Sequence, residues 1–198
     1  SIDDENRCLL TQGKWYQFND DYLAYLEDSL AEIEVVHEPK YNYSAVKYKQ
    51  FISERKETGQ KIGLELAFNL ELAEKHGFEC HDRELIYFNG NKIELMDLFK
   101  DETLISVKFG NAASKLSYVV DQSLSALKFY KHRFKKDLPD IKRVALWIVL
   151  ERKTELELKN GTPDLSKLGM FTFKNRIDGW KKEVRLLGYT PIIYLNYY

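Results

Sequence analysis

The chain has only two cysteines, Cys8 and Cys80, far apart in its 198 residues. That excludes a disulfide framework and makes a reducing, cytoplasmic setting the default expectation. No apolar run is long enough to span a bilayer, so no membrane role is expected. Ser1 to Leu10 is acidic before it turns apolar, which is not the pattern of a secretory leader. A glycine-rich phosphate loop, a G-x-S-x-G elbow and a credible Cys/His nucleophile pair are all missing. His76, Cys80 and His81 supply three donors with no second cluster at ligand spacing, short of a structural zinc site. Repeats and low-complexity tracts are absent too. These absences leave one domain, or one with a small extension, whose chemistry has to be sought among its charged residues.

Those charged residues make up 31% of the chain, and hydrophobic residues 44%, enough for a real core. The net charge of −1 hides an uneven distribution. Up to Val107 there are 12 Lys+Arg against 22 Asp+Glu; from Lys108 onward there are 18 against 9. Either the protein carries one positive face, or the two halves interleave in space and the asymmetry cancels. The chain opens on Ser1 rather than Met, which suits a processed form or a piece of something longer.

Turn residues and apolar periodicity divide the chain. Thr11-Gln12-Gly13 predicts a hairpin between two short strands. Asn19 reads as an N-cap ahead of a helix over 20–34. Residues 37–46 read as a loop, and further helices are expected over about Tyr48 to Glu57 and Ile62 to Lys75, the latter stopping at Gly77. The period then changes to three short apolar runs, Leu85 to Phe88, Ile93 to Phe99 and Thr103 to Phe109, the first two joined by Asn89-Gly90-Asn91. They predict an antiparallel meander. A long helix over about Ser114 to Lys136, a buried strand at Val144 to Leu150, a last helix over about Asn175 to Leu187 and a final strand at Ile192 to Tyr197 follow. The expected fold is α/β, a mixed central sheet flanked by helices, with 1–60 packing as hairpin and helices on a core at 61–198.

The meander carries the strongest constellation. Asp97 lies near the end of its second run and Lys108 near the end of its third. A twist or bulge is expected to bring them together. Hydrolysis of a phosphodiester uses a carboxylate to hold a divalent metal, and a nearby lysine to orient water and stabilise the transition state. As isolated residues, the pair could equally be a strand-end carboxylate bonding a turn and a lysine flanking Gly110. Glu65 could be an ordinary solvent-facing helix residue, and Asp82 an ordinary loop carboxylate. Lys128, Lys131, His132, Arg133, Lys135 and Lys136 crowd the end of the long helix, where they suit either phosphate contact or a solvated helix end.

Helix, three strands, helix, strand, with Asp97 on the second strand and Ile105-Ser106-Val107-Lys108 on the third, resembles the layout of the PD-(D/E)xK nucleases. The resemblance implies a restriction-endonuclease-like core. Asp97 would be a metal ligand, Lys108 the catalytic lysine, and Glu65 the helix glutamate that completes a site for Mg²⁺ or Mn²⁺. One departure is plain: the acid expected two residues before the lysine is Ser106, a poor metal ligand beside a carboxylate.

A resemblance over nearly the whole chain is carried by several segments. They are Gly13-Lys14-Trp15-Tyr16, Glu65 to Asn69, Ile93 to Leu98, Leu104 to Lys108, Leu116-Ser117-Tyr118, Asp121-Gln122-Ser123 and Ser166 to Gly188. Together they resemble the C-terminal region of a sporadically distributed bacterial family of unknown function. In this chain Ser106 stands for that family's usual His, Tyr118 for another His, and Ser123 for a Gly. The resemblance suggests a site-facing amide at Gln122, a longer parent protein, and a setting in restriction or phage defence. The expectation is therefore a metal-dependent nuclease domain acting on DNA, with Gln122, Lys128, Lys131, Arg133, Lys135 and Lys136 touching nucleic acid. A homodimer is compatible with it. The alternatives are a non-catalytic nucleic-acid-binding module, and a protein-interaction module that uses the tyrosine-rich stretches Tyr41–Tyr48 and Tyr194–Tyr198.

Overall fold

The run Val144 to Leu150 contains no polar residue. As a strand it can sit only where both faces are covered, and the fold is built around it. The computed structural model describes residues 2–3, 7–55, 62–81, 85–88, 91–94, 96–133 and 139–198. The chain opens with β1 (Ile2–Asp3), β2 (Cys8–Thr11) and β3 (Lys14–Gln17), a small antiparallel sheet with its β2–β3 turn at Gln12 and Gly13, both at positive φ. Helix α1 (Asp20–Ala31) is capped by Asn19, whose side-chain oxygen accepts from the Tyr22 N–H at 2.8 Å. Next come β4 (Glu34–Val36), a 3₁₀ turn at Pro39–Tyr41, and α2 (Ala45–Glu54), capped by Ser44. Helix α3 (Leu64–His76) ends on Gly77 at φ 69°, the left-handed residue that terminates a helix without a Cβ clash.

The following strands are β5 (Glu79–Cys80), β6 (Leu85–Phe88), β7 (Asn91–Glu94), β8 (Leu98–Lys100) and β9 (Thr103–Gly110). Helix α4 (Ala113–Arg133) leads to β10 (Arg143–Leu150), the short pair β11 (Leu158–Lys159) and β12 (Thr162–Pro163), a 3₁₀ turn at Leu165–Lys167, α5 (Phe171–Leu186) and β13 (Thr190–Tyr197). Among the described residues, five α-helices flank a six-stranded sheet of order β4-β13-β10-β9-β8-β5. Strands β4, β13, β10 and β9 run parallel; β8 is antiparallel to both β9 and β5.

Alternation along the strands makes two cores. Leu104, Leu146, Ile148 and Leu195 face α1, α4 and α5, where they meet Leu30, Leu116, Val120, Leu127 and Trp180. Ile105, Val107, Phe109, Trp147 and Val149 face the other way, onto Tyr41, Tyr43, Phe68 and Leu72. The result is three layers, helix on sheet on helix. One buried polar cluster ties α1 to α5: Lys181 donates to the Ser29 carbonyl at 2.7 Å and to Glu32 at 3.1 Å, and Ser29 donates to Asp178.

The meander is corrected. Ile93 to Phe99 is not one strand; β6 and β7 pair with each other in a separate sheet, and β8 opens a new hairpin with β9. That hairpin turns on Asp101 and Glu102, both left-handed, at φ 47° and 58°. The Asn89-Gly90 turn and Asp82 lie outside the described residues, as does the expected end of the long helix from 134 to Lys136. The first helix stops at Ala31 rather than 34, because Glu34 pairs with Ile192 in the sheet. The last helix begins four residues before Asn175, at Phe171.

Three of the six tyrosines in the two tyrosine-rich stretches are buried in the core, and Tyr48, Tyr194 and Tyr198 are half-buried. Tyr41, Tyr43 and Tyr197 are 6%, 5% and 5% exposed, and Tyr41 packs edge-on against Trp147. The acidic and basic halves interleave: β13 lies between β4 and β10, and ion pairs join Glu32 to Lys181 and Arg185, and Glu102 to Lys142. These pairs cancel charge locally, which favours the interleaved reading.

Candidate active site

Parallel strands put all their carboxyl ends at one edge of a sheet, and ligands of α/β proteins collect there. Five connections converge on that edge. Lys108 comes from the last turns of β9 and Glu151 directly follows β10. Because β8 is antiparallel, its start lies at the same edge, which brings in Asp97. The first turns of α3 and α4 add Glu65 and Lys115, and one and two turns further along α4 come Tyr118 and Gln122. These residues, with Gly63, Leu64, Leu66, Val107 and Phe109, line one open cleft of about 340 Å³.

Asp97 is 7% exposed. The ladder between β8 and β9 ends at Leu98 opposite Ile105, and Asp97 continues it in altered form. Its N–H donates to the Ile105 carbonyl at 3.0 Å, while its side-chain Oδ2, not its backbone, accepts from the Val107 N–H at 2.6 Å. The anticipated bulge is therefore a side-chain substitution in the ladder, and it fixes the orientation of the carboxylate. Lys108 donates to both oxygens of Glu65, each at 3.0 Å, and its ammonium lies 5.6 Å from the Tyr118 ring centre. Opposite, Lys115 pairs with Glu151 at 2.9 Å. The cleft thus carries three carboxylates and two ammonium groups, a formal balance of −1.

The structure brings together Asp97, Lys108, Glu65 and Gln122. It does not bring Lys128 or Lys131 to them. These lie six and nine residues beyond Gln122, roughly 9 to 13 Å along the helix. Lys128 pairs with Glu183 and Lys131 donates to the Leu187 carbonyl at 2.8 Å, so both tie α4 to α5. The side chain of Arg133, with Lys135 and Lys136, lies outside the described residues. Ser106 is fully buried, is not part of the cleft lining, and its hydroxyl has no hydrogen-bond partner among the described residues.

Sequence reasoning missed Glu151, Lys115 and Tyr118 as cleft residues. Glu151 had a signal: it is the first polar residue after the apolar run of β10. Among the described residues no group of three or more His, Cys, Asp or Glu converges as a metal cage. The donors in the cleft are hard carboxylate oxygens, Asp97 and Glu65, with Glu151 paired to Lys115. That set suits Mg²⁺, which is commonly held by one or two carboxylates plus waters and substrate phosphate.

Fold and cleft together define a mixed α/β protein with a charged cleft at the carboxyl edge of its sheet. By sequence the chain belongs to DUF6119, a family of unknown function whose pattern matches residues 1–187. No curated protein and no solved structure matches it. No helix among the described residues is long and apolar enough to cross a membrane.

Proposed function

We propose that the cleft hydrolyses phosphodiester bonds of nucleic acid, with DNA the expected substrate and Mg²⁺ or Mn²⁺ the required cofactor. One observation carries the reading: Glu65, Asp97 and Lys108 line a single cleft while arriving from α3, the start of β8 and β9. The reading is supported by the central-sheet strands that lie between α3 and α4, β5, β8 and β9, which are antiparallel, and by β10 after α4, parallel to β9; the separate β6–β7 pair interrupts that order between β5 and β8.

Charge decides what must bind first. A cleft at −1 repels a phosphate, and a divalent cation makes it attractive. Asp97 and Glu65 are the residues to hold that cation, whose chemistry is to lower the pKa of bound water and offset charge on the phosphate. The remaining roles belong to this chain's own groups. The Val107 N–H keeps the Asp97 carboxylate aimed. Lys108 has to exchange its grip on Glu65 for the phosphate, where its ammonium stabilises developing negative charge. Lys115, 47% exposed at its side chain, is placed to anchor a neighbouring phosphate.

The test is cleavage of labelled DNA in Mg²⁺ or Mn²⁺, with EDTA as control. Asp97→Asn keeps the acceptor for Val107 and removes the charge; Lys108→Ala removes the ammonium. Each is expected to lower cleavage about 10²-fold or more. Cleavage by Asp97→Asn at the wild-type rate ends the proposal.

Ser106 favours a second reading, a metal-assisted binding module without cleavage. The place where the nuclease layout has an acid is a buried hydroxyl outside the cleft. This reading predicts salt-sensitive binding that needs the cation, with intact DNA recovered.

A further inference from the structure

Tyr118 is the one large aromatic side chain of α4 left in solvent among the described residues, 61% exposed. It stands on the cleft wall, not on a featureless surface. The neighbouring residues Leu116, Val119 and Val120 are buried in the core, so the backbone that carries the ring is fixed. Its ring centre is 5.6 Å from the Lys108 ammonium. Gln122, half-buried and one helical turn further on, lines the same cleft with an amide that can both donate and accept.

We infer that Tyr118 is a stacking platform for a nucleobase next to the phosphate held by Lys108, with Gln122 reaching the edge of that base. The inference rests on the nuclease reading and adds a substrate class to it. Inside a duplex both faces of a base are covered by its neighbours. A protein ring can stack only on a base that is unstacked or lies at an end. The preferred substrate is therefore single-stranded nucleic acid, a flap or a frayed end, rather than continuous duplex. A rigid aromatic ring on a helix places this contact at little entropic cost, and because any base has a π-face, the contact tolerates sequence. The Lys108 ammonium beside the ring reinforces the geometry, since the cation that meets the phosphate also faces the platform.

The probe is a fluorophore-labelled single-stranded DNA, alone and annealed as a blunt duplex, bound in Ca²⁺ and read by anisotropy. Tyr118→Ala is expected to weaken single-strand binding about 5- to 150-fold, with duplex binding unchanged and Tyr118→Phe close to wild type. A walk of single abasic sites along the strand is expected to show one sensitive position in the wild type and none in Tyr118→Ala. The exposed ring makes loss of folding an unimportant concern, and circular dichroism checks it. Three outcomes overturn the inference while leaving the nuclease reading standing: wild-type affinity in Tyr118→Ala, equal losses on both probes, or an abasic walk without a sensitive position. Binding of neither probe by the wild type in any divalent cation overturns both.

Discussion

Substituting Asp97 separates its structural task from its chemical one. The carboxylate accepts from the Val107 N–H at 2.6 Å in a site only 7% open to solvent. Asp97→Ala leaves that N–H buried without an acceptor. An orphaned donor costs about 1–3 kcal/mol, and a hydrogen bond to a charged group is worth about 1.5–3 kcal/mol. These describe the same loss from two sides, so about 2–3 kcal/mol is expected in total. For a chain of this size, roughly 2–4 °C of Tm accompanies each kcal/mol, so Asp97→Ala should melt about 4–12 °C lower. Asp97→Asn keeps an oxygen acceptor and should lose less than about 1 kcal/mol. Thermal unfolding followed by circular dichroism measures both. If the two variants melt together, the side chain is not acting as the missing rung of the ladder, and the account of how Asp97 is aimed fails with it.

Two further outcomes follow from the charge layout. Lys115→Ala should reduce the salt slope of DNA binding by about 0.7–0.9, one phosphate contact, while Lys131→Ala leaves it unchanged because Lys131 is spent on the Leu187 carbonyl; equal slopes for both variants would contradict the placement. His76 has its pKa pushed down by burial first, and then by the nearby Lys40 and Lys100 ammonium groups. The unfolded chain takes up that proton first as pH falls below about 6.5, so stability falls with acidification through the depressed folded value. His76→Gln should flatten the fall in Tm between about pH 7 and pH 5, and an unchanged slope would show that other groups control it.

Much of the fold was legible because it rests on local signals. Asn19 announced α1 and Gly77 closed α3, while the unbroken apolar run of β10 marked the centre of the sheet. The failures were tertiary. The segment Glu34–Val36 carries too few residues to declare itself a strand and becomes one only against β13. Ile93 to Phe99 looked continuous because hydropathy does not record that Asp97 turns its side chain into the ladder. At the site, Asp97, Lys108 and Glu65 were visible as residue types in an order. Glu151 and Lys115 were not, because their pairing joins the end of one strand to the start of a helix 36 positions earlier in sequence.

The place of β13 bears on how the molecule is made. A synthesising ribosome releases Glu34–Val36 long before the neighbour it pairs with, Ile192 to Tyr194. Until then, among the described residues, β4 has no partner in the sheet and β10 has one flank open, two bare rims with unsatisfied amides. Such long-range closure is slow. A chain shortened before Thr190 would be expected to gather into aggregates rather than fold to a smaller version of itself.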